Sequence, residues 1–149
     1  MAHASSGRAP GYDPRHVSSL LPRRSALLAQ SGYYVGTGLL PFVSRRAFEA
    51  VTGPKREWWL VQTVGALVTV IGGALAGAAA RDRVTPEIGA LAVGSAAALA
   101  AIDVAYVARH RISPAYLLDA AIQAGLIVLL GRGLRSAPRR PRSAPRARA

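Results

Sequence analysis

A run of 23 residues without a charged side chain, from Trp58 to Ala80, constrains the fold more than any other feature of this chain. At a rise of about 1.5 Å per residue, a helix of this length can cross a hydrocarbon core of about 30 Å. Thr69 is the only polar side chain between Val64 and Ala80, so such a helix has no polar stripe to turn towards water. The run therefore predicts a membrane-spanning helix.

Three further apolar segments accompany this run, at residues 26–43, 86–108 and 114–130. The last two each begin with a proline, a residue favoured in the first turn of a helix. The first segment is the weakest span because it contains several polar side chains. The sequence predicts an all-α fold, a membrane-spanning four-helix bundle over residues 25–131. The short turn between the second and third spans predicts that these two pack as an antiparallel hairpin.

Both ends of the chain are basic and poor in apolar residues. Residues 1–24 and 132–149 are rich in Arg, Pro, Ser and Ala, a composition that predicts disordered tails. Over the whole chain 51% of residues are hydrophobic and 17% are charged, below the roughly 25% charged residues of soluble domains. A soluble, Ala-rich bundle stays open as an alternative, because Ala and Gly lower the mean hydropathy to +0.24.

The net charge of +12 indicates an anionic partner. The charges flank apolar runs instead of forming a stripe, so the predicted partners are the lipid bilayer and, through the Arg-rich C-terminal tail, its anionic headgroups. Nucleic acid is not expected, because the few aromatic residues lie in apolar surroundings where they cannot serve as stacking platforms.

The distribution of Lys and Arg predicts an orientation. Four precede the first span, two lie between the second and third spans, and seven follow the last span, whereas six lie on the opposite side. Basic residues accumulate on the cytoplasmic side of membrane proteins. We therefore expect a multi-pass protein with both termini in the cytoplasm.

Small residues recur at four-residue spacing within the spans, as Gly32 with Gly36, Gly73 with Gly77, and Gly94 with Ala98. Such pairs let helix backbones approach closely in lipid. They could serve packing within the chain or contacts in a homo-oligomer, and the sequence leaves both open.

Asp103 and Asp119 are the carboxylates that lie inside apolar spans. An ionised carboxylate at the centre of a membrane helix costs about 2.5 to 3.5 kcal/mol, so each is expected to face protein or water and to have a partner. Because the two residues flank the same turn, an antiparallel arrangement of their helices would place them at similar depth and as possible neighbours.

Further polar residues gather on the same side of the predicted bundle. Tyr106 follows Asp103 by three residues and Tyr116 precedes Asp119 by three, so each Tyr shares a helix face with its carboxylate. The candidate intramembrane site comprises Asp103, Asp119, Tyr106, Tyr116, Arg109 and Gln62, with candidate loop contacts at Arg45, Arg46, Glu49, Lys55 and Glu57. These residues could form a proton-coupled or ligand-binding site. Alternatively, the carboxylates pair with Arg45, Arg46 or Arg109 and only fix how the helices pack.

The loop between the first two spans, residues 45–57, contains a candidate short helix. Phe48 and Val51 are spaced to turn one face towards the membrane interface, and Thr52-Gly53-Pro54 is typical of a turn that ends a helix. The loop is either a structured connection or a lid over the two aspartates.

The chain lacks the usual residues of catalytic and metal sites. It has no Cys, and His3, His16 and His110 are scattered along the sequence. We therefore predict no catalytic residues, metal ligands or cofactors. A membrane enzyme that uses the two aspartates for acid–base work on a lipid is a weaker alternative.

Several short motifs occur in a fixed order, namely Leu40-Pro41-Phe42, Phe48-Glu49-Ala50-Val51-Thr52-Gly53-Pro54-Lys55, Trp59-Leu60-Val61, Thr63-Val64-Gly65, Ile102-Asp103-Val104 and Ile112-Ser113-Pro114-Ala115-Tyr116-Leu117-Leu118-Asp119-Ala120. Over roughly residues 30–130 this order resembles a group of small bacterial four-helix membrane proteins of uncharacterised activity. The resemblance implies a location in the bacterial inner membrane but names no reaction.

Two hypotheses follow for the function. The first is a small structural or accessory inner-membrane protein in which the carboxylates determine packing. The second is a small proton-coupled transporter or ligand-binding protein, because four spans in about 105 residues resembles the size of small multidrug transporters. The chain departs from those transporters in that its first span contains no glutamate.

Overall fold

The computed structural model describes the backbone of residues 14–135 and the side chains of residues 23–133. This part of the chain is helical and contains no strand. Its elements are α1 (Pro14–Val43), α2 (Arg45–Thr52), α3 (Trp58–Ala80), α4 (Pro86–Ala108) and α5 (Tyr116–Arg135). Helices α3 and α4 have the bounds that the apolar runs predict.

The outer ends of the first and last long helices differ from the prediction. Helix α1 begins at Pro14, so residues 14–24 are helical where we expected a disordered tail. Helix α5 continues to Arg135, beyond the predicted boundary at residue 131. Arg is a good helix former, so the loss of apolar residues at these points does not end a helix. The remaining tail residues, 1–13 and 136–149, lie outside the described residues.

The long helices do not pack in the order in which they follow one another. Helix α1 lies between α3 and α5 and packs along both, and α4 packs along α5. The predicted hairpin of α3 and α4 is therefore wrong in one respect: a short turn joins these helices, but they contact each other little. Helix α3 packs mainly against α1, and α4 packs mainly against α5.

Helices α1 and α3 run antiparallel with their backbones in direct contact. A Cβ atom added at Gly65 would lie 2.6 Å from the carbonyl oxygen of Gly38, and one added at Gly72 would lie 3.0 Å from the Cβ of Tyr34. The Ser31 hydroxyl donates a hydrogen bond to the Gly72 carbonyl at 2.8 Å, across the same interface. Glycine is thus required here by the close approach of the helices.

The small-residue pairs predicted from four-residue spacing are not the ones in contact. Added Cβ atoms at Gly32, Gly36, Gly73 and Gly94 would meet nothing within 4 Å, and one at Gly77 would meet only Nη1 of Arg81, at 3.0 Å. Four-residue spacing identifies a helix face but not which helix covers it. Within the described chain these faces are left uncovered.

Three helices are long and apolar enough to cross a membrane: Trp58–Ala80, Pro86–Ala108 and the Tyr116–Gly133 part of α5. Their outward faces are apolar. On α3, for example, Val64, Leu67 and Val70 are 52%, 60% and 69% exposed. Lipid would cover such faces, whereas a water-soluble bundle would leave them in contact with water. Helix α1 is not among the three because it contains several polar side chains.

Candidate polar site between helices α1, α4 and α5

Asp103 and Asp119 face each other across the interface of α4 and α5. Asp103, one turn before the end of α4, is 6% exposed, and Asp119 is half-buried in the first turn of α5. The two carboxyl groups are close enough to interact electrostatically. The structure thus brings together the two residues that the sequence predicts as neighbours, and we call them the carboxyl pair.

The hydrogen bonds around the carboxyl pair come from neutral side chains. The Tyr33 hydroxyl of α1 donates a hydrogen bond to Oδ1 of Asp119. Nε2 of Gln123, one turn further along α5, lies 3.5 Å from the same oxygen. Oδ2 of Asp103 is buried and has no partner within the described residues. One acceptor of the pair is therefore left without a donor.

The expected arginine partners lie elsewhere. Arg45 pairs with Glu49, with 3.1 Å between Nε and Oε1, and its guanidinium lies 4.9 Å from the ring centre of Trp58. The Arg109 guanidinium lies 5.7 Å from the ring centre of Tyr106. Between residues 23 and 133 no basic side chain forms an ion pair with either aspartate. The prediction that these arginines neutralise the pair is wrong, because the loops that carry them hold them outside the bundle.

A second group of polar side chains lies deeper, where α1 meets α4 and α5. The Tyr34 hydroxyl donates to Oε1 of Gln123 at 3.2 Å and lies 3.1 Å from the Ser95 hydroxyl. Nε2 of Gln30 donates to the Ala92 carbonyl at 2.8 Å. Tyr34 and Gln30 are fully buried. Gln123 also contacts Asp119, so it joins this second group to the carboxyl pair.

The loop over this end of the bundle is an ordered structure built on Glu49. Ser44 caps α2 by accepting a hydrogen bond from the Ala47 amide at 3.1 Å, and Gly53 ends the helix at φ 80. The Glu49 carboxylate then accepts from the Lys55 amide and from Arg45, each at 3.1 Å. These bonds, that from the Lys55 amide first, hold the pKa of the Glu49 carboxyl below its usual range. The predicted short helix and its turn are thus confirmed.

Lys55 and Tyr116 connect the loop to the carboxyl pair. Nζ of Lys55 donates to the Thr52 carbonyl at 2.7 Å and lies 5.0 Å from the ring centre of Tyr116. Partial burial lowers the pKa of the Lys55 ammonium. Tyr116 in turn is near Thr52 and near both members of the carboxyl pair. The loop therefore lies next to the polar site.

Besides Arg45 and Arg109, four of the predicted site residues do not join it. Tyr106 is 44% exposed on the outer side of α4, and Gln62 on α3 is half-buried with no hydrogen bond in the described chain. Glu57 accepts a hydrogen bond from Trp59 Nε1 at 3.0 Å, and Arg46 is exposed on α2. Three-residue spacing from Asp103 therefore does not bring the Tyr106 ring into the site; the ring lies near the Arg109 guanidinium instead.

Sequence reasoning missed the contribution of α1 to the site. Gln30, Tyr33 and Tyr34 lie within a single turn and a half of this helix, and Ser95 lies on α4. Their spacing could have identified them, because polar side chains in an apolar segment must face protein. In the sequence alone, the polar residues of α1 indicate only a weak span.

The chemistry available here is that of carboxyl groups and neutral donors. Two neighbouring carboxyl groups can share one proton, because a single proton removes the repulsion between two carboxylates. Three His, Cys, Asp or Glu side chains that could hold a metal ion do not come together anywhere in the described range. The carboxylates suit a proton or a small cationic group better than an anion, since no basic side chain accompanies them.

No known protein family, curated protein or solved structure matches this chain. The resemblance to small bacterial four-helix membrane proteins therefore stays a prediction.

Proposed function

We propose that this chain is a small proton-coupled carrier of the bacterial inner membrane that exchanges protons for a cationic substrate at the carboxyl pair. The observation that carries the proposal is the position of Asp103 and Asp119, facing each other between apolar helices without a basic partner. An ionisable carboxyl group within a membrane-spanning segment lowers the stability of the folded protein in the membrane. A cost of this kind is typical of a site that is retained for function.

The proposal includes a fourth span, formed by α1. Three polar side chains of this helix face protein: Gln30 and Tyr34 are 0% exposed and Ser31 is 5% exposed. A polar side chain that is hydrogen-bonded inside the bundle does not contact lipid, so it adds little to the cost of crossing the membrane. With α1 as a span, both termini lie on one side, which the balance of Lys and Arg places in the cytoplasm.

The location of the pair suits exchange with one side of the membrane. Both aspartates lie near the end of the bundle where the loop of residues 45–57 and the turn between α4 and α5 meet. Tyr116 lies between Lys55 and the pair. Movement of this loop would open a short path from water to the carboxyl groups, as lids do in other binding sites.

The shared proton can be tested by infrared spectroscopy of the purified protein. A protonated carboxyl group has a C=O stretching band that shifts in D₂O. We expect such a band in the wild-type protein at neutral pH and its loss in Asp103→Asn. The matched control is Asp82→Asn, which removes an exposed carboxyl group at a positive φ of 50° that asparagine also tolerates. A neutral-pH spectrum with no such band would contradict the shared proton.

The coupling can be tested in liposomes that contain a pH-sensitive dye. Vesicles are loaded in turn with tetraalkylammonium ions of increasing size, and an inward proton gradient is imposed. We expect faster acidification with at least one cation, its loss in Asp103→Asn and Asp119→Asn, and its retention in Asp82→Asn. Equal acidification with and without every cation would overturn the carrier.

A structural or accessory protein is the second candidate, favoured by one observation. The bonds from Tyr33 to Asp119 and from Tyr34 to Ser95 and Gln123 join α1, α4 and α5. The sole role of this hydrogen-bond network would then be to fix how the three helices pack. In that case the aspartate variants would lose stability and no cation would stimulate proton flux. Assembly into a homo-oligomer is compatible with either candidate.

A further inference from the structure

A groove lies between α3 and α4 at the end of the bundle opposite the carboxyl pair. It is an open, shallow groove with a volume of about 460 Å³. The lining residues are Ala74, Gly77, Ala78, Arg81, Arg83, Thr85 and Ile88. The groove exists because α3 and α4 pack on other helices and contact each other little.

The lining has an apolar part and a basic part. Side chains of Ala74, Ala78 and Ile88 lie on the two helices, which are both apolar enough to cross a membrane. Arg81 and Arg83 lie on the connecting turn, where the helices leave the apolar region. An occupant that matches this surface is apolar along the helices and anionic at the turn.

Arg81 is held in the groove by its own helix. Its Nη1 donates to the Gly77 carbonyl at 3.2 Å, and a Cβ atom at Gly77 would lie 3.0 Å from the same nitrogen. The absence of a side chain at Gly77 thus leaves room for the guanidinium against α3. The remaining donors of this guanidinium are available for a phosphate group, which arginine binds through several parallel hydrogen bonds.

We propose that this groove binds one anionic phospholipid of the surrounding bilayer, with its phosphate at Arg81 and Arg83 and an acyl chain along α3 and α4. Basic pockets between membrane helices on the cytoplasmic side are known to bind acidic headgroups. The site is separate from the Arg-rich tail, which we expect to contact headgroups without a groove. Nor does it depend on the carrier activity of the carboxyl pair.

Charge argues against the other occupants. Two copies of the chain that met at this groove in one membrane would bring their turns to the same depth and so place Arg81 and Arg83 of each copy together. Such like charges repel at short distance. The basic tail after residue 135 is disfavoured for the same reason. The acidic residues of the turn, Asp82 and Glu87, are exposed and do not line the groove.

Native mass spectrometry of the full-length protein in detergent tests the site. The probes are phosphatidylglycerol, phosphatidylcholine with the same acyl chains, and inorganic phosphate. We expect wild-type protein to retain one phosphatidylglycerol in preference to phosphatidylcholine, and to retain no inorganic phosphate. The double variant Arg81→Gln/Arg83→Gln should bind phosphatidylglycerol about tenfold more weakly or worse. The control Arg56→Gln/Arg111→Gln removes the same charge from exposed positions outside the groove and should bind as wild type.

Ala74→Phe tests the contribution of the groove's shape independently of its charge. The substitution fills the apolar part of the groove at an exposed position and leaves both arginines in place. We expect it to weaken phosphatidylglycerol binding while its thermal stability in detergent stays that of wild type. Equal binding of the two lipids by wild type, or an undiminished preference in the double variant, would overturn the proposal. So would a lipid-free dimer that Ala74→Phe dissociates, since the groove would then belong to a second copy.

Discussion

Gly38 of α1 and Gly65 of α3 place their helix backbones in direct contact. A Cβ atom at Gly38 would lie 2.6 Å from the carbonyl oxygen of Gly65, and one at Gly65 would lie equally close to the carbonyl oxygen of Gly38. Real Cβ atoms do not approach backbone atoms so closely, so the helices would have to move apart. This contact fixes α1 in the centre of the bundle, where its tyrosines reach the carboxyl pair.

Gly65→Ala is expected to destabilise the protein by about 1 to 3 kcal/mol, the usual cost of overpacking, because the new methyl group meets backbone and not a flexible side chain. Chemical unfolding of the protein in detergent measures this. Gly125→Ala is the matched control, since Gly125 is exposed and has nothing within 4 Å. Its stability should be unchanged or raised by up to about 1 kcal/mol through helix propensity. A cost of the same size at both positions would contradict the close contact.

Much of the helical arrangement could be predicted from the sequence, for physical reasons. The bounds of α3 and α4 follow from charged residues at Arg81 and Arg109 and from a proline at Pro86, which are local features. The start of α1 at Pro14 could not be predicted in this way, because arginine is compatible both with a tail and with a helix. Which helices would be neighbours depends on the fit of whole surfaces, as at Gly38 and Gly65, and spacing along one helix does not contain that information.

The candidate site could be predicted only in its centre. Asp103 and Asp119 were identifiable because a carboxyl group in an apolar span must be compensated. Asp119 is bound by Tyr33, which comes from a helix that is distant in sequence, whereas Arg45 and Arg109 contact Glu49 and Tyr106. The cost of a charge in an apolar span thus identifies the two aspartates but not their hydrogen-bond partners.

Tyr33→Phe is expected to destabilise the protein by roughly 1.5 to 3 kcal/mol, because it removes a partly buried hydrogen bond to a carboxyl oxygen of Asp119. Tyr106→Phe removes the same hydroxyl from an exposed ring and should change stability by less than about 0.5 kcal/mol. Thermal unfolding of the two variants in one detergent compares them. Similar losses in both would mean that the hydroxyl of Tyr33 has no special role.

Asp103→Asn should leave the free energy of unfolding unchanged or raise it. No basic side chain in the described chain loses its partner, and the new amide can donate to Asp119 without an added proton. If an arginine did neutralise Asp103, the variant would leave a buried charge unpaired and lose about 3 to 5 kcal/mol. The direction of the shift in melting temperature separates the two cases, and it is independent of any transport assay.

The loop should become less protected in acid. The hydrogen bond from the Lys55 amide and the interaction with Arg45 keep the pKa of Glu49 below its usual range. A carboxyl group whose pKa is lower in the folded state stabilises that state at pH values above its unfolded pKa, and this contribution is lost as the pH falls through the folded value. Hydrogen exchange of the Lys55 amide should therefore lose protection below the normal titration range of glutamate. In Glu49→Gln the protection should be weaker at neutral pH and insensitive to acid over the same window.

Crossing of the membrane by α1 can be tested by single-cysteine labelling, because the chain has no native Cys. Arg24 is exposed near the start of the part of α1 that packs in the bundle. Arg46 is exposed on α2, three residues after α1 ends at Val43. The two positions therefore lie on either side of the proposed span. If α1 spans the bilayer with the N terminus in the cytoplasm, an impermeant maleimide added to intact cells labels Arg46→Cys and not Arg24→Cys. Permeabilised cells should label both. Labelling of both positions from outside would place α1 on the surface and leave three spans, and the polar side chains of α1 would then have to be explained by contact with water.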